Sequence, residues 1–333
     1  MTTLTAAAVF VLSLALSTVS SLVLAHNLDK VGARLRLTEG LVGIITALGA
    51  DAPEIASAVT ALVGGQRDLG VGVVIGSNVF NLAALLGLSA VVAGQVRIGR
   101  QGLTVNGAVA LLVTGIAAAL IFGWLPPVPG LALIAAILAP YIVLLALRRP
   151  QVERLPLPRP ADRFLSEAAE QCHDDAKQDT MAAQASGYDA LALVPALASI
   201  VLASVGMIRS AVALAEQWGV PHIIVGTLIL ATLTGVPNLI AAIRLARHGR
   251  GSAVVTESLN SNTFNLVAGV ALPALLLGLG AMSRLTTLAT WWLLAMTAVT
   301  VALAGRKNGL QRRDGAAIIA LYAVFAAVIL WWK

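Results

Sequence analysis

The sequence predicts an all-α polytopic membrane protein whose ten transmembrane helices form two inverted five-helix repeats. Three observations carry this reading. Of the 333 residues, 58% are apolar and only 11% charged, with a mean hydropathy of +0.89. That is more apolar side chain than a soluble core of this size buries. Apolar runs of helix-spanning length recur ten times, and the basic residues collect in alternate loops.

The first run, 4–26, has no basic residue before it, whereas Lys30, Arg34 and Arg36 follow it. It therefore reads as a first span entering from outside, not as a cleaved signal peptide. Runs at 40–64, 69–94, 103–124 and 128–147 complete the first half, residues 1–148. A hydrophilic stretch, 149–187, carries Pro150, Pro156, Pro158 and Pro160 and reads as a flexible cytoplasmic linker. Its Cys172, the chain's single cysteine, has no partner for an intrachain disulfide and reads as a free, reduced thiol. The second half, 188–333, repeats the pattern with runs at 188–208, 220–243, 253–280, 285–304 and 314–332. Alternation at period two is absent, which argues against an outer-membrane barrel.

With the N-terminus outside, 18 of the 22 Lys and Arg residues fall on the inner side, among them Arg97, Arg100, Arg148, Lys177, Arg244, Arg250 and Arg306. Only Arg67, Arg209, Arg284 and Lys333 fall outside. The positive-inside rule thus holds at every loop, and the net charge of +6 is a signal of topology and not of nucleic-acid binding. Five spans per half is an odd number, so the second half enters the bilayer from the side opposite to the first. Inverted repeats of this kind typify secondary transporters with a midplane site. Trp291-Trp292 and Trp331-Trp332, near span ends, read as interfacial belt residues. The implied setting is the plasma (inner) membrane, with lipid as a partner.

The two halves share a polar signature. Pro53-Glu54 is followed by Ser77-Asn78-Val79-Phe80-Asn81, and Pro237-Asn238 by Ser261-Asn262-Thr263-Phe264-Asn265. The copies lie 184 positions apart and match without a gap. Proline inside a span removes a helix hydrogen bond and frees carbonyl oxygens, which a broken helix beside a cavity offers to a cation. Gly43, Gly49, Gly72, Gly76, Gly226 and Gly235 allow close helix approach around that point.

Of the 16 acidic residues, Asp51, Glu54 and Glu257 read as deep in the membrane. No Lys, Arg or His reads as lying at similar depth, so their expected partners are metal cations or protons. The plain alternative is a permanently protonated carboxyl bonded to a neighbouring helix. Ser77 and Asn81 share a helix face, as do Ser261 and Asn265, and Glu257 extends the second stripe by one turn. Oxygen donors in such number suit a hard cation such as Ca2+ or Na+. His222 and His248 read as interfacial.

These residues resemble the cation/calcium exchanger superfamily, in particular prokaryotic sodium/calcium exchanger-like proteins. Its two alpha-repeats carry a Gly-Thr-Ser-x-Pro-Glu-like motif followed by Gly-Ser-Asn-x-Phe-Asn. Here the first copy reads Gly49-Ala50-Asp51-Ala52-Pro53-Glu54, and the second Leu233-Thr234-Gly235-Val236-Pro237-Asn238. The resemblance implies a central carboxylate at Glu54 and side-chain ligands at Ser77, Asn81, Ser261 and Asn265. Carbonyls near Ala47, Ala50, Ala231 and Thr234 would complete the shell, with Asn78 and Asn262 beside them. Two departures stand out. Asn238 occupies the place of the second central acid, and Asp51 adds one near Glu54, which with Glu257 would restore the lost charge.

The implied function is a secondary antiporter, not an enzyme, that exports Ca2+ or a related divalent cation against Na+ by alternating access. No resident cofactor is expected. Two acids as close as Asp51 and Glu54 also share a proton readily, which leaves Ca2+/H+ exchange open. Also open are a cation channel, a non-transporting homologue and an intramembrane aspartyl protease, although the protease needs a second deep aspartate.

Overall fold

The computed structural model describes residues 2–96, 98–176, 187–307 and 309–331. The predicted positions of Arg97, Lys177, Trp332 and Lys333 lie outside these. Spans one to five are α1 (Thr3–Arg34), the pair α2 (Glu39–Ala50) and α3 (Ala52–Val63), α4 (Arg67–Ala93), α5 (Arg100–Ile121) and α6 (Pro127–Ala146). A linker helix α7 (Arg159–Ala176) follows. Spans six to ten are α8 (Gly187–Trp218), α9 (His222–Arg247), α10 (Gly251–Leu277), α11 (Arg284–Ala304) and α12 (Arg312–Trp331). Among the described residues nine helices are long and apolar enough to cross a bilayer. The bent pair α2–α3 makes ten spans.

The duplication extends well beyond the motifs. Helix α1 begins at Thr3 and α8 at Gly187, α4 at Arg67 and α10 at Gly251, and α5 at Arg100 and α11 at Arg284, an offset of 184 each time. Even a local irregularity recurs. A π-helical turn follows each Ser-Asn-x-Phe-Asn motif, at Leu82–Gly87 in α4 and Val267–Ala271 in α10. Such turns widen a helix by one residue and often mark functional sites. The halves meet in a reciprocal contact: Asn78 Nδ2 donates to the Asn262 carbonyl at 2.9 Å, and Asn262 Nδ2 to the Asn78 carbonyl at 3.0 Å. Mutual contacts between equivalent residues are the mark of a two-fold relation.

Helix α4 forms the centre, its apolar window wholly buried, with α3, α9, α10 and α11 packed around it. The α4–α9 crossing is close because Gly72 and Gly76 of α4 face Gly226 and Thr227 of α9. A Cβ on Gly76 would stand 2.3 Å from the Thr227 carbonyl oxygen. Small residues four apart admit this backbone contact, which supplies van der Waals packing where lipid gives no hydrophobic drive. Gly76→Ala is therefore expected to cost about 3 kcal/mol or more, since backbone has less room to yield than a side chain. A thermal melt in detergent that stays within a degree of the wild type would refute this.

Helices α1 and α8 pack along each other and meet the rest mainly through α2 and α3. Their outer faces expose Leu12, Leu16 and Val19, and Leu191, Val194 and Leu202, whereas Ser17, Ser20, Ser21 and Ser204 are buried. Apolar-out, polar-in is the pattern of helices solvated by lipid. Trp291, half exposed, joins Phe122 and Trp124 in an aromatic cluster at 4.8–5.9 Å.

Two expectations need correction. The helix break predicted at both prolines occurs only in the first copy, where α2 and α3 meet at Asp51 with a 53° bend. Helix α9 runs through Pro237 unbroken, with a π turn two turns upstream at Val225–Leu230. The linker is not wholly flexible, because α7 docks against α2, α5, α6 and α10. Outside the spans, Gln95–Val96 and Leu310–Gln311 pair as two short antiparallel strands, a local clip that leaves the all-α class unchanged. The linker's Cys172 is buried in the docked face, within 3.8 Å of Asn106 Oδ1, and burial pushes its thiol up to about 12. Since the thiolate is the reactive form, maleimide at pH 7.5 should label Cys172 only after unfolding. Equal labelling of native and denatured protein would show that α7 is undocked.

Candidate cation site

The site lies where the α2–α3 break faces the middle of α9 and α10. The break exposes the carbonyls of Gly49 and Ala50, and the Ser21 hydroxyl of α1 donates to both, at 3.1 and 2.9 Å. Asp51, at the break, and Glu54, one turn into α3, are each 2% exposed. Asn238 Nδ2 donates to Asp51 Oδ1 at 3.0 Å, and the Ser261 hydroxyl also bonds this carboxylate. Asn238 thus stands not opposite its repeat counterpart Glu54 but against Asp51, the added acid. The Thr234 hydroxyl bonds Glu54 and the Leu230 carbonyl.

The Ser-Asn-x-Phe-Asn motifs form the far wall. Asn81 Nδ2 donates to Ser261 Oγ at 3.1 Å and to Asn262 Oδ1 at 3.2 Å, and Ser77 Oγ donates to the Val73 carbonyl of its own helix. Asn78 and Asn262 commit their amide nitrogens to the reciprocal clasp, leaving Asn78 Oδ1 without a partner. Phe80 lies over Gly235, where any Cβ would meet its ring at 2.8 Å. The repeat equivalent of Gly235 is Asp51. The same position is sterically closed in one half and carries an acid in the other.

Several buried polar atoms here have no hydrogen-bond partner: Asp51 Oδ2, Glu54 Oε2, Asn78 Oδ1, and both Oδ1 and Nδ2 of Asn265. An unsatisfied buried oxygen costs about 1–3 kcal/mol, and more when charged. Unpartnered buried oxygens on the repeated motifs and on the acids at the helix break call for a guest to satisfy them. Among the described residues no three Asp, Glu, His or Cys side chains gather closely enough to hold a metal by themselves. A cation here would draw on amide, hydroxyl and carbonyl oxygens as well, the donor set of a hard ion.

Glu257 stands apart from the buried pair. It is partly exposed and within electrostatic reach of Asp51. It lines a cavity of about 700 Å³ that begins at Ala47 and Ala50 and opens on the side carrying the linker. Arg250, at the N-terminal end of α10, lines the same cavity and lies within electrostatic reach of Glu257. His222 and His248 lie outside the site, as expected: His222 opens α9, and His248 is exposed past its end. Sequence reasoning missed Ser21 and the buried Ser57–Ser204 contact at 3.4 Å. The signal was present in Ser17, Ser20 and Ser21, spaced as one helix face inside an apolar run.

The sequence matches the model of the sodium/calcium exchanger protein family over residues 5–149 and 189–331. The inner membrane protein YrbG of Escherichia coli is 26% identical over 235 residues, 70% of this chain and 67% of that protein. The sodium/calcium exchanger MaX1 of Methanosarcina acetivorans is 24% identical over 143 residues, 43% of this chain and 41% of its own length. The matched stretch thus spans less than half of that archaeal relative. A solved structure of the sodium-calcium exchanger NCX_Mj superposes with a TM-score of 0.60 at 18% identity, covering 98% of this chain and 99% of that one. At that identity the likeness shows the fold. The family model covers both halves and leaves out the linker. The chain therefore belongs to the sodium/calcium exchanger protein family and is a multi-pass membrane protein.

Proposed function

We propose that the protein exchanges Ca2+, or a related divalent cation, for Na+ by alternating access. One observation carries this reading: beside a broken helix, the buried carboxylates of Asp51 and Glu54 lie within electrostatic reach of each other, and each keeps one oxygen without a hydrogen-bond partner. Glu54 would be the central ligand, with Asp51 supplying the charge that Asn238 lacks. Asn81, Ser77, Ser261, Asn265 and Thr234 would add neutral oxygens, and carbonyls near Ala47, Ala50, Ala231 and Thr234 would complete the shell. Asn78 and Asn262 hold the frame, with Asn78 Oδ1 open to the ion. Two carboxylates that hold one dication can instead hold monovalent ions, but not both at once, and that exclusion couples the fluxes. The α1–α8 pair, which meets the bundle at the break, is placed to move against it and expose the site to each side in turn. The basic-loop asymmetry supports an N-terminus outside and a cytoplasmic linker. The named location of the Escherichia coli relative supports the inner membrane.

Ca2+/H+ exchange is the second reading. The same unpartnered oxygens favour it, since a proton satisfies them as a cation does. Uptake into liposomes, driven by a Na+ gradient at fixed pH and then by a pH gradient without Na+, separates the two. Scanning Ca2+, Mg2+ and Mn2+ identifies the cargo. Na+-driven Ca2+ uptake is expected. Uptake driven by pH alone would replace Na+ by H+, and no uptake of any ion would overturn the transport reading.

A further inference from the structure

The linker helix α7 is docked by side chains, not merely laid against the bundle. His173 Nδ1 accepts from the Gly40 amide at 3.1 Å while its Nε2 donates to the Leu147 carbonyl at 3.0 Å. Gln171 Oε1 accepts from the Gly102 amide at 2.8 Å, and Gln171 Nε2 donates to Gln101 Oε1 at 3.0 Å. This docking brings Asp175, in the last turn of α7, onto the wall of the 700 Å³ cavity. There Asp175 Oδ2 accepts from Thr256 Oγ1 at 2.8 Å, next in sequence to Glu257. A hydrogen-bonded chain continues inward: Asn106 Nδ2 donates to Thr256 Oγ1 at 3.3 Å, and the Tyr141 hydroxyl bonds both Asn106 and Asn260. Asn260 lies on the cavity wall one residue before Ser261.

Charge gives this placement a purpose. Arg244, His248 and Arg250 also line the cavity, and among its described lining residues the only acids are Asp175 and Glu257. A cation entering past two guanidinium groups is repelled unless those acids offset them, and cavity charge sets the local ion concentration. We propose that Asp175, borne on the linker, is a cation-guiding residue of the transport pathway. It forms a carboxylate station at the cavity mouth, from which a divalent cation passes to Glu257 and on to the site. This rests on the exchange reading above. It assigns the linker helix a part in ion access, separate from binding at Glu54.

Asp175→Asn tests it, because the amide oxygen still accepts from Thr256 and so preserves the docking. Ca2+ transport by the full-length protein is compared in right-side-out and everted membrane vesicles, which present opposite faces to the medium. The half-saturating Ca2+ concentration at the linker face should rise about three- to tenfold with the maximal rate retained, within the range of electrostatic focusing. The opposite face should be unchanged, and Asp175→Glu should restore the wild-type value. An unchanged half-saturation at the linker face, or an equal shift at both faces, would overturn the proposal. Such a result would leave the exchange reading intact provided the wild type transports Ca2+; a wild type inert in both vesicle types would sink that reading instead.

Discussion

Glu54→Gln is expected to reduce Ca2+ transport by a hundredfold or more while leaving the protein folded. The glutamine is isosteric and keeps an oxygen for the Thr234 hydroxyl, so the packing around α3 changes little. What disappears is a full charge from a buried site where Glu54 Oε2 has no protein partner. At an effective dielectric of 20, a unit charge about 4 Å away attracts another by roughly 4 kcal/mol, and a dication by about twice that. A third of this is already close to a hundredfold in affinity. Equilibrium binding of radioactive Ca2+ to purified protein measures the effect without requiring turnover. Retention of wild-type affinity would remove Glu54 from the site.

Asn238→Asp has the second-largest expected effect, and its sign follows from one contact. Asn238 Nδ2 donates to Asp51 Oδ1 at 3.0 Å, so the substitution turns a hydrogen bond into a facing pair of carboxylates. Without an ion, two carboxylates at that distance hold a shared proton; with Ca2+ bound, both ligate. Ca2+ should then bind the variant about tenfold or more tightly above neutral pH, and its affinity should fall more steeply on acidification. Binding isotherms at pH 6 and pH 8 read both effects. If affinity and pH slope match the wild type, Asp51 does not compensate for the missing acid.

Most of the fold was legible in the sequence because a bilayer punishes polar residues harshly enough to leave a clear pattern. All ten apolar runs correspond to observed spans, and the 184-residue offset visible between Pro53 and Pro237 also relates Thr3 to Gly187. The first and sixth spans are longer than their apolar runs. Each extends past its last apolar stretch, to Arg34 and Trp218, held by pairing of α1 with α8 that hydropathy does not register. The unbroken α9 could not be foreseen either. Proline states that a hydrogen bond is lost, but whether a helix breaks there or runs on is settled by its neighbours.

The candidate site was legible as a set of residues and not as an arrangement. Spacing placed Ser77 with Asn81 and Ser261 with Asn265. That Asn81 reaches Ser261 across the halves, or that Asn238 reaches Asp51, depends on how the repeats cross. The linker was the least legible part. Its prolines and charges suggest a loose tether, yet α7 buries Ala168, Ala169 and Cys172 along one side. That apolar stripe lies in a segment too polar overall to attract notice.

Calcium counterflow tests the central claim most directly, that one duplicated site with unequal acids carries cations across the membrane. Liposomes holding the protein and loaded with unlabelled Ca2+ are diluted into trace radioactive Ca2+ without Na+. A carrier whose site must be occupied to switch sides should accumulate label transiently above equilibrium, and Glu54→Gln should abolish the overshoot. Entry that rises only to equilibrium, with or without Glu54, would contradict the account.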